Sequence, residues 1–84
     1  MSYADDVREH CRRKYIEAAR QRREKTVQIR AGTVHKEMGY RNRLPLVCSA
    51  LGAVVFEEVC GIKKVAVKGP HTGANTIFIF EMVP

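Results

Sequence analysis

The sequence predicts a small domain of the α+β class, with three helices and a three-stranded antiparallel sheet. Apolar residues recur at helical spacing in two long segments, which is typical of amphipathic helices. Three short segments rich in β-branched and aromatic residues are bounded by glycine, proline and asparagine, which is typical of strands. The 84 residues and the 45% apolar content fit one small packed core, so residues 1–84 are expected to form a single domain.

The first segment, from about Ser2 to Lys25, is predicted to form one long helix. Ser2 and Asp5 fit a capping box, in which each side chain binds a backbone amide of the other residue. Apolar residues four or three positions apart mark the buried stripe: Tyr3, Val7, Cys11, Tyr15 and Ala18. Ile16 and Ala19 widen this stripe. The next segment, Thr26–Arg30, alternates between polar and apolar residues, which predicts a short half-buried strand.

A very short helix is predicted over Val34 to Met38. Gly32 is expected to end the preceding strand, and Thr33 is expected to be the N-cap of the helix. Gly39 is the expected stop, because glycine adopts the left-handed conformation that ends many helices. A four-residue turn, Tyr40 to Arg43, follows.

The third helix is predicted to start at Asn42, as its N-cap, and to continue to Gly61. One stripe at helical spacing is expected to be buried: Leu44, Val47, Cys48, Leu51, Val55 and Val59. A second apolar strip consists of Leu46, Ala50 and Val54. A second apolar face on one helix suggests cover by another protein surface, which would make it a dimer seam.

Two strands and a loop are predicted for the rest of the chain. The strand Ile62 to Lys68 is expected to carry Val65 and Val67 on one face, with Lys64 and Lys68 on the other. The strand Thr76 to Val83 is apolar on both faces. The intervening loop, 69–75, is rich in turn residues and too long for a tight hairpin.

The formal net charge of +6 is confined to one half of the chain. Residues 1–43 contain twelve of the fifteen Lys and Arg residues and six of the nine acidic residues, whereas residues 44–84 contain three of each. Such a basic surface attracts polyanions, of which nucleic acid is the most common in a cell. The alternative interpretation is a solvated helix face that only keeps the protein in solution.

Several other classes of protein fit the sequence poorly. A chain this short has little room for a deep substrate cleft, so we expect no enzyme, no small-molecule substrate and no cofactor. No apolar run approaches the roughly 18 residues of a membrane span. Cys11, Cys48 and Cys60 show neither a disulfide framework nor zinc-ligand spacing, so a reducing cytoplasm and no metal site are expected.

The order of the predicted elements resembles that of the winged helix-turn-helix family. The segment from Thr33 to Gly39 looks like the family's second helix, the helix from Asn42 like its recognition helix, and residues 62–83 like its wing hairpin. The resemblance implies a sheet in which the last strand lies in the centre, as its two apolar faces also suggest. It also implies a DNA-binding protein, acting as a transcriptional regulator or as the DNA-binding part of a larger machine, and a homodimer.

Under this resemblance, ten residues are candidates for contact with double-stranded DNA. Those in the turn and the recognition helix would read bases: Arg41, Asn42, Arg43 and Ser49. Those at the wing would contact the phosphate backbone: Lys68, His71, Thr72 and Asn75. Thr33 and Lys36 would hold a phosphate at the start of the short helix.

Two other functions remain open at this point. One is a protein-interaction module that keeps the winged fold, in which a partner covers Leu46, Ala50 and Val54. The other is a structured-RNA or ribosome-associated protein, for which the same positive charge would serve. The sequence offers that second function few aromatic residues for base stacking.

Overall fold

The structure is a computed structural model that describes residues 2–84. It has the predicted α+β class and three-stranded antiparallel sheet, but four helices where three were predicted. Helices and sheet enclose one hydrophobic cluster. Its largest fully buried side chains include those of Phe56, Phe80, Ile16, Ile29 and Leu51.

The first helix, α1, continues through three stretches: α-helical Tyr3–Cys11, π-helical Arg12–Ile16 and α-helical Glu17–Gln21. The capping box of Ser2 and Asp5 is present as predicted. The π-helical stretch shifts the helix face by inserting an extra residue. The buried residues beyond Cys11 are therefore Ile16 and Ala19, which were predicted at the margin of the stripe, whereas Tyr15 and Ala18 from its centre are only half-buried.

Strand β1, Thr26–Arg30, lies where it was predicted, but the helix after it begins earlier than expected. Helix α2 is Ala31–Glu37, and its N-cap residue is Arg30. The prediction that Thr33 is the N-cap is wrong, because Thr33 lies inside the helix. No side-chain cap is present; instead, backbone amides of α2 donate to carbonyls of the 69–75 loop and its flank, described below.

The predicted third helix is two helices, α3 (Leu44–Gly52) and α4 (Val54–Cys60). They separate at Ala53, whose ψ of 141° is extended. The N-cap of α3 is Arg43, so the prediction that Asn42 caps this helix is wrong. Asn42 has a φ of 54°, a left-handed conformation that asparagine tolerates better than most residues.

The break at Ala53 changes which side of α4 faces the core. Phe56 and Cys60 are buried, whereas the predicted Val55 and Val59 are 44% and 68% exposed. In α3 the predicted second strip is mostly covered from within the chain, since Ala50 is buried and Leu46 packs against the core. The prediction that Leu46, Ala50 and Val54 form one seam is therefore wrong, and only Val54 is left exposed.

The sheet has the order β1-β3-β2, with β2 at Ile62–Lys68 and β3 at Ile77–Met82. The last strand is central, as predicted, and pairs antiparallel with both neighbours. The register of β2 shifts between Lys64 and Ala66. The prediction that Lys64 and Lys68 share one face of β2 is wrong, because the register shift places Lys64 opposite Phe80 and Lys68 opposite Ile77, and these two residues of β3 point to opposite faces of the sheet.

Candidate nucleic-acid interface

A groove lies between α3 and the loop of residues 69–75, and we call it the α3–loop groove. Residues from α3, from the sheet and from the loop line it: Pro45, Cys48, Ser49, Gly52, Lys64, Val67, His71, Thr72 and Phe78. The structure thus brings together three of the predicted contact residues, Ser49, His71 and Thr72. None of its lining residues is acidic, whereas four other surface depressions each contain at least one carboxylate.

The part of α3 that faces this groove is narrow and carries small side chains. Pro45 and Ser49, one helical turn apart, are exposed, and the residues on the other side of the helix are buried. Small side chains let the backbone of a ligand come close to the helix. The hydroxyl of Ser49 is able both to donate and to accept a hydrogen bond there.

The loop of residues 69–75 is held in place by buried Thr76. The Thr76 hydroxyl donates to the Pro70 carbonyl at 2.6 Å and accepts from the Gly73 amide at 3.0 Å. Gly69 starts the loop with a φ of +86°, and an added Cβ would lie 2.6 Å from the Asn75 carbonyl oxygen, so the position requires glycine. His71 and Thr72 are consequently presented by a closed, hydrogen-bonded turn.

Arg30 connects this loop to the start of α2, a role that sequence reasoning missed. Its guanidinium donates to the Asn75 Oδ1 at 2.7 Å and to the Thr33 Oγ1 at 3.2 Å. Two predicted phosphate contacts, Asn75 and Thr33, are therefore engaged by Arg30 within the chain. Neither residue lines the α3–loop groove.

The predicted phosphate site at the start of α2 is occupied by backbone. The amides of Ala31 and Gly32 donate to the carbonyls of Thr76 and Ala74, each at 2.9 Å, so they are not free to bind an anion. Lys36 lies at the other end of this helix, in its last turn, and is exposed. The helix start therefore offers neither of these two amides to a phosphate, and it does not bring Thr33 and Lys36 together at one end of α2.

The three residues of the turn that were predicted to read bases differ in their exposure and in their contacts. Arg41 and Asn42 are exposed. Arg43 is half-buried, and its guanidinium carbon lies 4.1 Å from the ring centroid of Tyr3, a cation–π contact that fastens the turn to α1. Of the three predicted base-reading residues in the turn, Arg41 and Asn42 are the accessible ones.

Two lysines contribute positive charge beside the loop. Lys68 was predicted, and it is exposed at the end of β2. Lys64 was not predicted; it lines the groove and donates from its ammonium group to the Gly52 carbonyl at 3.0 Å, at the end of α3. The ammonium group of neither lysine forms an ion pair within 4.0 Å in the part of the chain that the structure describes, although the backbone amide of Lys64 donates to the Glu57 carboxylate at 3.0 Å.

Most of the basic residues of α1 are engaged in contacts within the chain. Arg8 pairs with Asp5 and also donates to the Ala50 carbonyl. Arg12 pairs with Glu9 and Glu17. Arg20 donates to the Cys60 carbonyl at 2.7 Å, at the end of α4. These arginines stabilise helix ends and helix packing, so α1 supplies less free positive charge than its sequence suggests.

Glu37 joins α2 to α1 through three donors. Its carboxylate is bonded to the His10 ring at 2.9 Å and accepts from the Tyr15 hydroxyl at 2.7 Å and from the Lys14 ammonium group. Desolvation raises the pKa of Glu37, but these donors outweigh it and lower the pKa to about 2. Glu37 therefore remains ionised and holds the end of α2 against α1.

The cysteine residues show no arrangement for metal binding. Cys11, Cys48 and Cys60 are buried free thiols, and burial is the main cause that raises the pKa of Cys11 to about 12. Across residues 2–84 no group of three or more His, Cys, Asp or Glu side chains is placed to hold a metal ion. No helix in the same range combines the length and the apolar character needed to cross a membrane.

The α3–loop groove is therefore the place where predicted residues from separate elements meet, and its lining contains no acidic residue. What it binds has to be inferred from its own side chains and backbone. The chain was compared with protein-family models, with curated proteins and with solved structures, and none of the three comparisons finds a match.

Proposed function

We propose that the protein binds double-stranded DNA through the α3–loop groove, as a transcriptional regulator or as the DNA-binding part of a larger assembly. The observation that carries this proposal is the groove itself, where Ser49 of α3 meets His71 and Thr72 of the loop beside Lys64. A polyanion is favoured there because the lining includes a lysine and a histidine and no carboxylate. Buried free thiols support a reducing cytoplasm as the place of this activity.

The arrangement of elements supports a winged helix-turn-helix interpretation of the fold. A short helix, a turn and a second helix precede a strand pair joined by a long loop, and the last strand is central in the sheet. In this interpretation α3 is the recognition helix and the 69–75 loop is the wing. The chain departs from that pattern in α4, which adds a fourth helix between the recognition helix and the wing strands.

The accessible residues divide into two kinds of contact with duplex DNA. Lys68, Lys64 and the loop would neutralise phosphates, which supplies affinity that falls as salt rises. Arg41, Asn42 and Ser49 would reach base edges, because Arg suits guanine and Asn suits adenine in the major groove. Structured RNA is the alternative polyanion, and for base stacking the lining offers it only the exposed ring of His71, since Phe78 is only 4% exposed.

Duplex binding by Arg41→Ala and Lys68→Ala variants tests this proposal. We expect each variant to bind more weakly than the wild type, and Lys68→Ala to reduce the slope of log affinity against log salt by about 1. Arg41→Ala should in addition change the preference among DNA sequences. Fluorescence anisotropy with labelled duplexes at several salt concentrations measures all three quantities.

Arg22→Ala is the matched control, because its side chain is 74% exposed and lies beyond the end of α1, away from the groove. It should bind like the wild type. Equal losses for all three variants would indicate diffuse charge attraction and contradict a defined interface. Tighter binding to structured RNA than to duplex DNA in a competition would favour an RNA-associated function instead.

A second candidate function is association with another protein, for which α4 provides a specific observation. Val54, Val55 and Val59 are 65%, 44% and 68% exposed, although valine is usually among the most buried residues. Val55 and Val59 also line a groove against α1, whose wall carries both Asp6 and Arg12. We propose a second copy of this chain as the partner, since a wall that carries both signs of charge suits a self-complementary contact.

The oligomeric state of Val59→Asp tests this candidate. We expect the wild type to form dimers at micromolar concentrations and Val59→Asp to be monomeric, because a buried unpaired carboxylate opposes the contact. Val65→Asp is the control, at an exposed valine on β2. Sedimentation equilibrium reports the masses, and a wild-type chain that is monomeric at the highest concentration contradicts the candidate.

A further inference from the structure

We propose that Arg30 is a positioning residue, which holds the 69–75 loop at a fixed place relative to α2 and α3 and does not itself contact DNA. This inference rests on the proposed function of the α3–loop groove. Arg30 is the last residue of β1 and the N-cap residue of α2, and it does not line the groove.

The geometry joins three segments at this one side chain. One terminal nitrogen of the guanidinium donates to the Thr33 hydroxyl of α2, and the other donates to the Asn75 side-chain oxygen of the loop. Two backbone hydrogen bonds join the same segments: the Ala31 amide donates to the Thr76 carbonyl, and the Gly32 amide donates to the Ala74 carbonyl. The second half of the loop is therefore tied to the start of α2 by both backbone and side chain.

The two acceptors suit arginine in particular. Both are neutral oxygens, and they belong to segments 42 residues apart in sequence (Thr33 and Asn75) that only the fold brings together. A planar guanidinium reaches both at once with separate nitrogens, whereas the compact ammonium group of lysine lacks that fixed fork. Lysine at this position would keep the charge and lose the bridge, which separates positioning from simple attraction of phosphate.

The first half of the loop carries His71 and Thr72, which line the groove, so the position of the loop sets the position of these side chains. Thr76 bonds to Pro70 and Gly73 on either side of His71 and Thr72, so the loop is closed at its base. A loop that is closed in this way moves as a unit, and without the anchor at Asn75 its position depends on the two backbone hydrogen bonds from Ala31 and Gly32 alone. The side chains of His71 and Thr72 would then lose their fixed distance from Ser49, and a preorganised contact with DNA would weaken.

A double-mutant cycle with Arg30→Lys and Asn75→Ala tests this inference. We expect each single variant to bind duplex DNA roughly five- to tenfold more weakly, and the double variant to bind no more weakly than either single one. The salt slope of Arg30→Lys should equal that of the wild type, because no phosphate contact is lost. Arg22→Lys, at an exposed position that bridges no segments, is the charge-matched control.

Amide hydrogen exchange of the free protein gives a readout that does not depend on DNA. The amides of residues 70–75 should exchange faster in Arg30→Lys than in the wild type, with the amides of β1 and β3 unchanged. Additive losses of affinity, wild-type affinity in Arg30→Lys, or wild-type exchange of the loop would each overturn the positioning role. If the loop of Arg30→Lys exchanges faster but the wild type shows no salt-dependent duplex binding, the proposed function is overturned. The role of Arg30 as the anchor of the loop would still stand.

Discussion

Replacing Phe56 by alanine is expected to lower the free energy of unfolding by about 3–5 kcal/mol, whereas Val55→Ala should cost less than about 0.5 kcal/mol. Phe56 is fully buried, and its ring packs edge-on against that of Phe80 with the ring centroids 5.4 Å apart. Val55 is its neighbour in sequence but is 44% exposed. The large difference between adjacent residues follows from the break at Ala53, which turns α4 so that Phe56 faces the core.

Urea denaturation followed by circular dichroism measures both changes. A domain of this size has a total stability of roughly 5–15 kcal/mol, so Phe56→Ala removes a large fraction of it. If Phe56→Ala is too unstable to purify, Phe56→Leu gives a smaller loss in the same direction. A cost for Val55→Ala above that for Phe56→Leu would mean that α3 and α4 form one continuous helix.

Replacing Gly32 by alanine is expected to destabilise the protein by about 1–3 kcal/mol, although alanine is the better helix former by about 1 kcal/mol. Gly32 lies in the first turn of α2, where the loop passes directly over it. An added Cβ would lie 2.6 Å from the Ala74 carbonyl oxygen and 2.9 Å from the Ala74 Cβ. Since Ala74 is backbone-bonded to Gly32 at 2.9 Å, relief of the clash requires the loop to move away from α2.

Gly73→Ala is the matched control, in the same loop. An added Cβ there would lie 3.5 Å from Pro70, an ordinary contact, and its backbone is not left-handed. The melting temperature should fall by roughly 4–8 °C per kcal/mol lost for Gly32→Ala and change little for Gly73→Ala. Duplex binding should weaken in the first variant alone. A Gly32→Ala protein that melts higher than the wild type would show that helix propensity outweighs the contact with the loop.

Sequence reasoning succeeded where a local pattern determines the local structure. The capping box of Ser2, the glycine stop at Gly39 and the strand Thr26–Arg30 are each set by residues within a few positions of each other. The central position of β3 also followed from its own residues, because it is the strand of the sheet with apolar residues on both faces. These features needed no knowledge of distant contacts.

The helix phases could not be predicted, because they depend on packing between distant segments. At Ala53 the residues Gly52 and Ala53 continue the apolar pattern, so nothing in the spacing marks a break. The bond from Lys64 to the Gly52 carbonyl stabilises the end of α3, and Lys64 lies twelve residues further along the chain. The π-helical stretch in α1 likewise depends on tertiary packing, because the shifted helix face places Ile16 in the core.

The sequence predicted part of the grouping of residues at the candidate site, and the structure adds contacts that it did not predict. The resemblance to the winged helix-turn-helix family brought Ser49, His71 and Thr72 together, and they do line one groove. It could not show that Arg43 stacks on Tyr3, or that Arg30 holds Asn75. A basic residue looks the same in sequence whether it binds a distant carbonyl in the fold or remains free for a ligand.

The central place of β3 has a consequence for how the chain folds during its synthesis. A ribosome releases β1 and β2 before β3, yet the two earlier strands do not pair with each other and share only β3 as a partner. Until residues 77–82 emerge, both have unpaired edges, and the helices have only an incomplete core to pack against. Closure of the sheet is therefore a single late event that joins segments about fifty residues apart, a separation at which loop-closure entropy slows folding.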